Sequence, residues 1–181
     1  MQTEKTDLEG LFVLRPKVFK DERGFFMETF RADFFERLDL KQPFVQDNYV
    51  RSEARGVLRG LHFQLPPHAQ TKLVSAVRGA IFDVAVDLRR ASYTYGKWQS
   101  FVLSAENQQR LLVPRGFAHG YMTLEEGTEV QYKVDAYYAP LSDSGILWND
   151  PDLAVIWPDI SPVLSEKDQR LQLFREFSSP F

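Results

Sequence analysis

Short apolar runs of strand character recur along most of the chain, separated by turn signals such as Arg78-Gly79 and Glu126-Gly127. Many short strands at close spacing favour an antiparallel sandwich or barrel over alternating βαβ units. The predicted strands are Leu11–Val18, Val57–Leu65, Leu73–Val77, Ala80–Leu88, Trp98–Leu103, Gln109–Val113, Tyr121–Leu124 and Thr128–Val134.

Two of these runs alternate well enough to predict which side chains share a face. In Thr128–Val134 the pattern places Val130 and Tyr132 on one face and Lys133 on the other. In Ala80–Leu88 it places Asp83 on the same face as apolar residues. A carboxylate buried in this way needs a partner, because burying an unpaired charge is costly.

Helical spacing of apolar residues is found only near the two ends. It occurs in Arg31–Leu40 and again in Ser165–Phe177, where the run Ser165–Asp168 resembles a capping box. The pattern as a whole predicts an all-β, cupin-like jelly-roll barrel with short helices near the N- and C-terminal ends. A barrel of this kind can hold one small ligand in its mouth.

Length and composition narrow the class of protein. The chain of 181 residues, without repeats or linker-like shifts, is expected to form one domain over residues 1–181. It has no cysteine, which excludes disulfides and thiolate zinc sites, and its aromatic share of 14% suggests a thick core or aromatic binding surfaces.

Charge and hydropathy bear on partners and location. No apolar run approaches the roughly 18 residues of a membrane span, and the N-terminus lacks the apolar core of a signal peptide. We therefore expect a cytoplasmic protein that does not bind membranes. The net charge of −3 also argues against nucleic-acid binding, and an anionic substrate would need a local basic pocket.

The three histidines are the first candidates for chemistry. His62 lies in the apolar run Gly56–Gln64 and His119 in Pro114–Gly120, while His68 lies in a proline-rich loop where solvent exposure is expected. A single histidine on a strand is more often structural than functional. Imidazole is nevertheless the side chain best suited to proton transfer near neutral pH, so His62 is a candidate base.

A metal site is the obvious alternative use of histidines in a cupin-like barrel. Such a site needs about three converging nitrogen or oxygen ligands, commonly including two neighbouring histidines. Gln64 stands where His62 would need the second one. We therefore expect no metal, and a metal-dependent oxygenase is the weaker hypothesis.

Tyr132, Lys72 and two arginines each allow a structural and a functional interpretation. Tyr132 is either a core ring or a proton donor, and Lys72 is either a solvated strand end or a cation that stabilises an oxyanion. Arg23 and Arg59 are either surface ion-pair residues or ligands of a diphosphate, which guanidinium binds through two parallel hydrogen bonds.

Taken together, the sequence motifs resemble the dTDP-4-dehydrorhamnose 3,5-epimerase family from about residue 11 to residue 168. The most specific piece is Gly56–Gln64, whereas Pro114–Gly120 alone is shared with cupins broadly. The other matching pieces are Asp21–Phe26 with Glu28, Val45–Asn48, Lys72–Val74, Phe82–Leu88, Leu103–Asn107, Tyr132-Lys133, Tyr137–Pro140, Trp148–Pro151 and Ser165–Asp168.

The resemblance implies a homodimeric, cofactor-independent isomerase that acts on a dTDP-linked keto sugar. It implies that His62 is the general base oriented by Asp168, that Tyr132 is the acid on the opposite face of the sugar, and that Lys72 stabilises the enolate oxygen. Part of the substrate site is expected from the partner subunit, because the family's N-terminal strands cross the dimer interface. The expected substrate-binding residues are Arg23, Arg59, His119, Phe19, Phe26, Glu28, Gln46, Asn48, Asp83 and Tyr138.

One feature of the sequence conflicts with these roles unless the backbone is irregular. Strict strand alternation places Arg59 and His62 on opposite faces, so we expect a bulge or kink at Gly60. Two further functions stay open beside the double epimerase. One is an epimerase acting at a single carbon or a 3,4-ketoisomerase, and the other is a non-catalytic sugar-binding module.

Overall fold

Antiparallel β-structure dominates the computed structural model, which describes residues 1–38, 40 and 42–181. The described residues form one short helix, α1 (Ala32–Glu36), and thirteen strands. The strands are β1 (Gln2–Lys5), β2 (Phe12–Arg15), β3 (Val18–Asp21), β4 (Gly24–Met27), β5 (Gln46–Ser52), β6 (Leu58–Gln64), β7 (Lys72–Arg78), β8 (Ala80–Asp87), β9 (Trp98–Ser104), β10 (Arg110–Val113), β11 (Phe117–Thr123), β12 (Thr128–Val134) and β13 (Asp143–Gly145).

The strands form two large sheets and a separate hairpin. The first sheet has six strands in the order β1-β2-β10-β7-β12-β5, and the second has five in the order β13-β6-β11-β8-β9. The hairpin β3–β4 is a two-stranded sheet of its own. The two large sheets pack against each other through a shared apolar core, to which Val74 and Val130 contribute from the first sheet and Ile81 and Phe117 from the second.

The expectation of an all-β, cupin-like jelly-roll fold is confirmed, although its two large sheets are not closed into a barrel. Among the described strands, no hydrogen-bonded ladder joins one large sheet to the other. The edge strands β5 and β13 therefore leave an opening between the sheets, because closure would require edge strands to pair across it. This opening forms the mouth of the cavity described below.

Both large sheets are covered on their outer faces as well. The C-terminal segment lies against the second sheet, where Phe177 packs near Leu61 and Val84. The N-terminal segment around α1 covers part of the first sheet, with Phe35 packed near Leu73. Sheets buried on both faces explain why the strand runs were so apolar in the sequence.

Most predicted strands are found, with corrections that have local causes. Thr128–Val134 has the predicted bounds. The predicted strand Leu11–Val18 ends at Arg15, before Pro16, which has no N–H to donate to a ladder, and only its last residue, Val18, belongs to β3. The predicted strands did not include β1, β4, β5, β13 or the part of β3 after Val18. The residues of β1 are polar and exposed, so no apolar alternation marked that strand.

The helical predictions hold only in part. The helix α1 lies within the predicted range Arg31–Leu40, of which residue 39 lies outside the described residues. The predicted C-terminal helix is instead two short 3-10 turns, Asp168–Arg170 and Phe174–Glu176. The backbone between them is extended because Gln172 pairs with the segment of the chain that contains Leu147. The backbone carbonyl of Gln172 accepts a hydrogen bond of 2.9 Å from the backbone N–H of Leu147.

No helix in the described part of the chain is long and apolar enough to cross a membrane.

Candidate active site

Two adjoining cavities lie between the sheets at the open edge formed by β5 and β13. Their volumes are about 400 Å³ and about 270 Å³. Four residues line both cavities, namely His62, Lys72, Tyr132 and Lys167. The larger cavity reaches toward Gln46, Asn48, Tyr138 and Asp143, and the smaller one toward Arg59, His119, Tyr121, Ser165 and Asp168.

An irregularity at Gly60 brings Arg59 and His62 into the same cavity. On β11, Tyr121 pairs with Arg59 and His119 pairs with His62, so two residues of β6 lie opposite one residue of β11. Gly60 has a φ of +139°, and a Cβ there would lie 2.5 Å from the Cα of Gly120. The predicted bulge is confirmed, and only glycine fits it without strain.

A carboxylate and a hydroxyl hold His62 in place. The Nε2 of His62 lies 2.6 Å from Oδ1 of Asp168, and the other carboxylate oxygen accepts a hydrogen bond of 2.6 Å from Oγ of Ser165. Burial by itself raises the pKa of Asp168, but the hydrogen bonds from His62 and Ser165 outweigh it and lower the pKa. Asp168 is therefore an anion that orients the imidazole.

Lys72 lies on the wall of the cavity opposite His62. It begins β7 in the first sheet, whereas His62 lies on β6 in the second sheet. Burial lowers the pKa of Lys72 to about 8, although the carboxylates of Asp143 and Asp83 oppose this shift. At neutral pH most Lys72 side chains carry their charge, and burial strengthens the attraction of that charge for an anion.

Tyr132 shares the wall of the first sheet with Lys72. It lies on β12, which pairs with β7, and its ring packs partly against the central core. Burial raises the pKa of its phenol, so the hydroxyl stays protonated through neutral and moderately alkaline pH. The packed ring agrees with the core interpretation of Tyr132, and because the residue also lines the cavity, its role as a proton donor stays a prediction.

A buried histidine–carboxyl pair lies beside the smaller cavity. The Nε2 of His119 lies 2.9 Å and 3.0 Å from the two carboxylate oxygens of Asp83, which has no solvent exposure. Burial raises the pKa of Asp83, while His119 and Lys72 act in the opposite direction. The partner that the alternation pattern required for Asp83 is thus His119.

The larger cavity ends in a polar network at the open edge. Gln46 donates a hydrogen bond of 2.9 Å to Asn48, and its own carbonyl accepts one of 3.1 Å from the backbone of Tyr138. The phenol of Tyr138 donates to Asp143 over 3.0 Å, and Lys167 forms an ion pair with the same carboxylate. Tyr138 is 56% exposed, so its ring is free to stack on a planar ligand.

Four predicted substrate-binding residues lie away from these cavities. Arg23, Phe19 and Phe26 belong to the hairpin β3–β4, where they line a separate shallow hollow. Glu28 follows the hairpin and is exposed. Within one chain the structure does not bring these residues to His62.

Several cavity residues were not predicted from the sequence, namely Asp143, Lys167, Ser165 and Tyr121. Ser165 and Lys167 lie inside the run that was noted as a capping box, and Ser165 does accept a hydrogen bond of 3.1 Å from the backbone N–H of Asp168. No local pattern marked Asp143, which lies on a three-residue strand. Tyr121 lies in the predicted strand Tyr121–Leu124, but nothing in its spacing indicates that the residue lines a cavity.

Chemically, the arrangement can move protons on an anionic ligand. Arg59, Lys72 and Lys167 supply positive charge, while a histidine and a tyrosine from different sheets provide a base and an acid. Across residues 1–38, 40 and 42–181, no cluster of three or more His, Cys, Asp or Glu side chains is positioned to hold a metal ion. His68 is exposed, as predicted, and makes a hydrogen bond of 2.9 Å with Ser142.

Comparison with known proteins gives closely similar relatives over nearly the whole chain. The dTDP-4-dehydrorhamnose 3,5-epimerase of Escherichia coli (strain K12) is 50% identical over 173 residues, which cover 94% of this chain and 93% of that protein. The crystal structure of the Bacillus anthracis enzyme of the same name, with TDP and PPi bound, has a TM-score of 0.92 and 49% identity, covering 95% of this chain and 98% of that one.

A third relative was solved with a sugar nucleotide. The dTDP-6-deoxy-D-glucose-3,5-epimerase of Legionella pneumophila Philadelphia 1, in complex with dTDP-4-keto-L-rhamnose, has a TM-score of 0.93 and 43% identity, covering 98% of this chain and 94% of that one. The sequence profile described as dTDP-4-dehydrorhamnose 3,5-epimerase matches residues 5–176. With the fold, the cavity and these matches in agreement, the chain belongs to the dTDP-4-dehydrorhamnose 3,5-epimerase family.

Proposed function

We propose that this protein is an isomerase that converts dTDP-4-dehydro-6-deoxy-D-glucose to dTDP-4-dehydro-L-rhamnose by epimerising carbons 3 and 5. The observation that carries the proposal is the arrangement of His62 and Tyr132 on different sheets around one cavity, which Lys72 also lines. Inverting a carbon requires that a proton leave from one face and return to the other. A base and an acid on facing walls meet that requirement.

His62 acts as the base. It takes the proton from the carbon next to the 4-keto group, and the electron pair of the broken C–H bond moves onto the ketone oxygen to give an enolate. Asp168, held by Ser165, keeps the imidazole oriented and stabilises the imidazolium that forms. The lowered pKa of Asp168 supports this role, because the carboxylate stays charged.

Lys72 stabilises the enolate oxygen through its positive charge. A cation already in place in a poorly hydrated site costs no reorganisation when the negative charge develops. Tyr132 then donates its phenolic proton to the opposite face of the carbon and becomes a phenolate. Before the next turnover the imidazolium of His62 releases its proton to solvent, and the phenolate of Tyr132 takes one up. Its raised pKa supports a donor that is protonated before the reaction.

The remaining groups bind the nucleotide. Arg59 and Lys167 suit the diphosphate because both are cations at the cavity wall. We assign the sugar of the substrate to the smaller cavity near His119. We assign the nucleobase of the substrate to the open edge, where Gln46 and Tyr138 lie.

We further propose that the enzyme works as a homodimer of single-domain subunits, each spanning residues 1–181. In such a dimer the N-terminal strands cross to the second subunit, so that Arg23, Phe19, Phe26 and Glu28 complete its site. The exposure of Phe26, at 69%, supports a hairpin whose aromatic surface is covered by another chain. The cytoplasmic location stays a prediction.

Deuterium exchange tests the proposed reaction. The protein is incubated with dTDP-4-keto-6-deoxyglucose in deuterium oxide while the sugar is followed by NMR. We expect deuterium at both carbons 3 and 5, and its loss in His62→Ala. Exchange at carbon 3 alone would indicate a single-carbon epimerase, migration of the carbonyl to carbon 3 would indicate a ketoisomerase, and no exchange would favour the sugar-binding module.

A further inference from the structure

The loop that carries Tyr138 is held in place by glutamine side chains. It follows β12, and residues 136–139 belong to neither a helix nor a strand. The backbone carbonyl of Ala136 accepts a hydrogen bond of 2.8 Å from the side chain of Gln70. The backbone N–H of Tyr138 donates one of 3.1 Å to the side chain of Gln46. Amide side chains therefore replace the ladder bonds that a strand would supply.

Gln64 contributes two further bonds to the same loop and uses its whole amide group. Its Nε2 donates to the carbonyl of Tyr137 over 3.2 Å, and its Oε1 accepts from the backbone N–H of Ala139 over 2.8 Å. Its Nε2 also donates to the carbonyl of His68 over 2.7 Å. Both N–H donors and the carbonyl acceptor are thus in use, and the residue is only 4% exposed.

Gln64 links this loop to the strand that carries the proposed base. It lies on β6 two positions after His62, so the two side chains point to the same face, and both residues line the larger cavity together with Tyr138. A histidine at position 64 could not replace the amide, because a neutral imidazole has one donor and one acceptor and cannot make all three bonds.

We propose that Gln64 is a positioning residue for nucleotide binding, which holds the loop so that the ring of Tyr138 is ready to stack on the nucleobase. The inference rests on the proposed function, because that proposal assigns the nucleobase to the open edge beside Tyr138. Gln64 has no free N–H to offer a ligand, so its effect on binding passes through the loop. A ring that is fixed beforehand loses less conformational entropy when the ligand binds.

A double-mutant cycle on dTDP binding tests this inference. Gln64→Met keeps an unbranched side chain of similar length and removes the bonds to the loop, whereas Tyr138→Ala removes the ring. The dissociation constant for dTDP is measured by calorimetry for the unaltered protein, both single variants and the double variant. We expect Gln64→Met to weaken binding about 10-fold when Tyr138 is present and less than about 2-fold in Tyr138→Ala, where no ring needs positioning.

Gln109→Met is the matched control. Gln109 precedes β10 at the end away from Val113, which pairs with Lys72, and it lines neither cavity. This variant should bind dTDP as the unaltered protein does. An equal loss of affinity from Gln64→Met with and without the ring of Tyr138 would overturn the inference, since it indicates a general structural role. No loss in either case would overturn it as well.

A second variant keeps the test decisive if Gln64→Met does not fold. Gln64→Glu retains an acceptor for the N–H of Ala139 but replaces the donor to the carbonyl of Tyr137 with an oxygen. The same dependence on Tyr138 is expected, with folding checked by thermal melting. Failure of both variants to fold would overturn the inference, because the amide would then be needed for the fold itself.

Failure of the proposed function gives a different result. If the unaltered protein binds no dTDP, the proposed function and the inference are both overturned. If it binds dTDP but exchanges no deuterium, only the proposed reaction is overturned, and the cycle still decides the role of Gln64.

Discussion

Lys72 and Asp168 are charged residues of one cavity whose pKa values are lowered for different physical reasons. For Lys72 the cause is burial, which disfavours the ammonium form. For Asp168 burial acts the other way, and the hydrogen bonds from His62 and Ser165 overcome it to favour the carboxylate. As a result Asp168 is a firmly charged anion, whereas Lys72 loses its charge within an accessible pH range.

Activity is expected to fall on the alkaline side as Lys72 loses its proton. With a pKa of about 8 for Lys72, kcat should decline above about pH 8 because the enolate loses its stabilising cation. Tyr132 does not account for such a decline, since burial raises its pKa above the ordinary value of 10.0. The measurement is kcat against pH between 6 and 10.5, and a decline that begins only near pH 10 would contradict the assignment to Lys72.

Stability should change with pH in the opposite direction. Lys72 loses its proton near pH 8 in the folded state and near pH 10.5 in the unfolded chain. Between these pH values the unfolded state binds more protons, so the contribution of Lys72 to the free energy of unfolding rises with pH. Lys72→Met is the matched variant, because it keeps an unbranched side chain and removes the charge. It should melt higher than the unaltered protein at pH 7, lack this contribution, and lose about 10²- to 10³-fold in kcat.

At the scale of elements, the bulge in β6 decides which side chains face the cavity. An uninterrupted strand would turn Arg59 and His62 to opposite faces, because side chains alternate with a period of two. The extra residue in β6 relative to β11 restores both to the same face. The close approach of the backbone at Gly120 leaves no space for a side chain at Gly60.

Gly60→Ala is therefore expected to damage both stability and the site. The new Cβ would meet the Cα of Gly120 at 2.5 Å and would also strain a positive φ. We expect a loss of about 2–4 kcal/mol in the free energy of unfolding, measured by urea denaturation. Gly24→Ala is the control, since Gly24 has a φ of +128° and nothing within 4 Å of the added atom.

The control should lose only about 1 kcal/mol, from the backbone conformation alone. Equal losses in the two variants would show that the approach to Gly120 is unimportant.

At the scale of the whole molecule, the hairpin β3–β4 is the part whose purpose one chain does not explain. It forms no ladder with the large sheets in the described structure, and it exposes Phe19 at 52%, Phe25 at 58% and Phe26 at 69%. Exposed aromatic surface of this kind is typical of a contact with another chain. In the proposed homodimer each hairpin completes the cavity of the other subunit.

Mixing two inactive variants tests that arrangement. His62→Ala removes the base, and Arg23→Ala removes a hairpin cation that the proposal places in the partner's site. After joint refolding, statistical pairing gives about half heterodimers, each with one intact cavity, so about a quarter of the sites should be active. Each variant refolded alone is the control, and a mixture no more active than the two controls would contradict a shared site.

Much of the fold could be predicted because strand periods and turn residues are local signals. The alternation in Thr128–Val134 gave the correct bounds and face for Tyr132, and the pattern around Asp83 correctly indicated a buried carboxylate. Polar strands such as β1 carry no such signal, and the C-terminal tail had a helical pattern that pairing at Gln172 overrode. Where local propensity and tertiary contacts favour different conformations, the tertiary contacts determine the conformation.

The sequence by itself determined the all-β class, the family resemblance and the identity of most of the reactive groups, because these depend on residue types and short spacings. Only the tertiary structure decided how those groups meet. His62 and Asp168 are 106 positions apart, and their contact at 2.6 Å depends on how the C-terminal segment is laid against β6. The open edge and the place of Asp143 likewise follow from the pairing of distant strands, which no local pattern records.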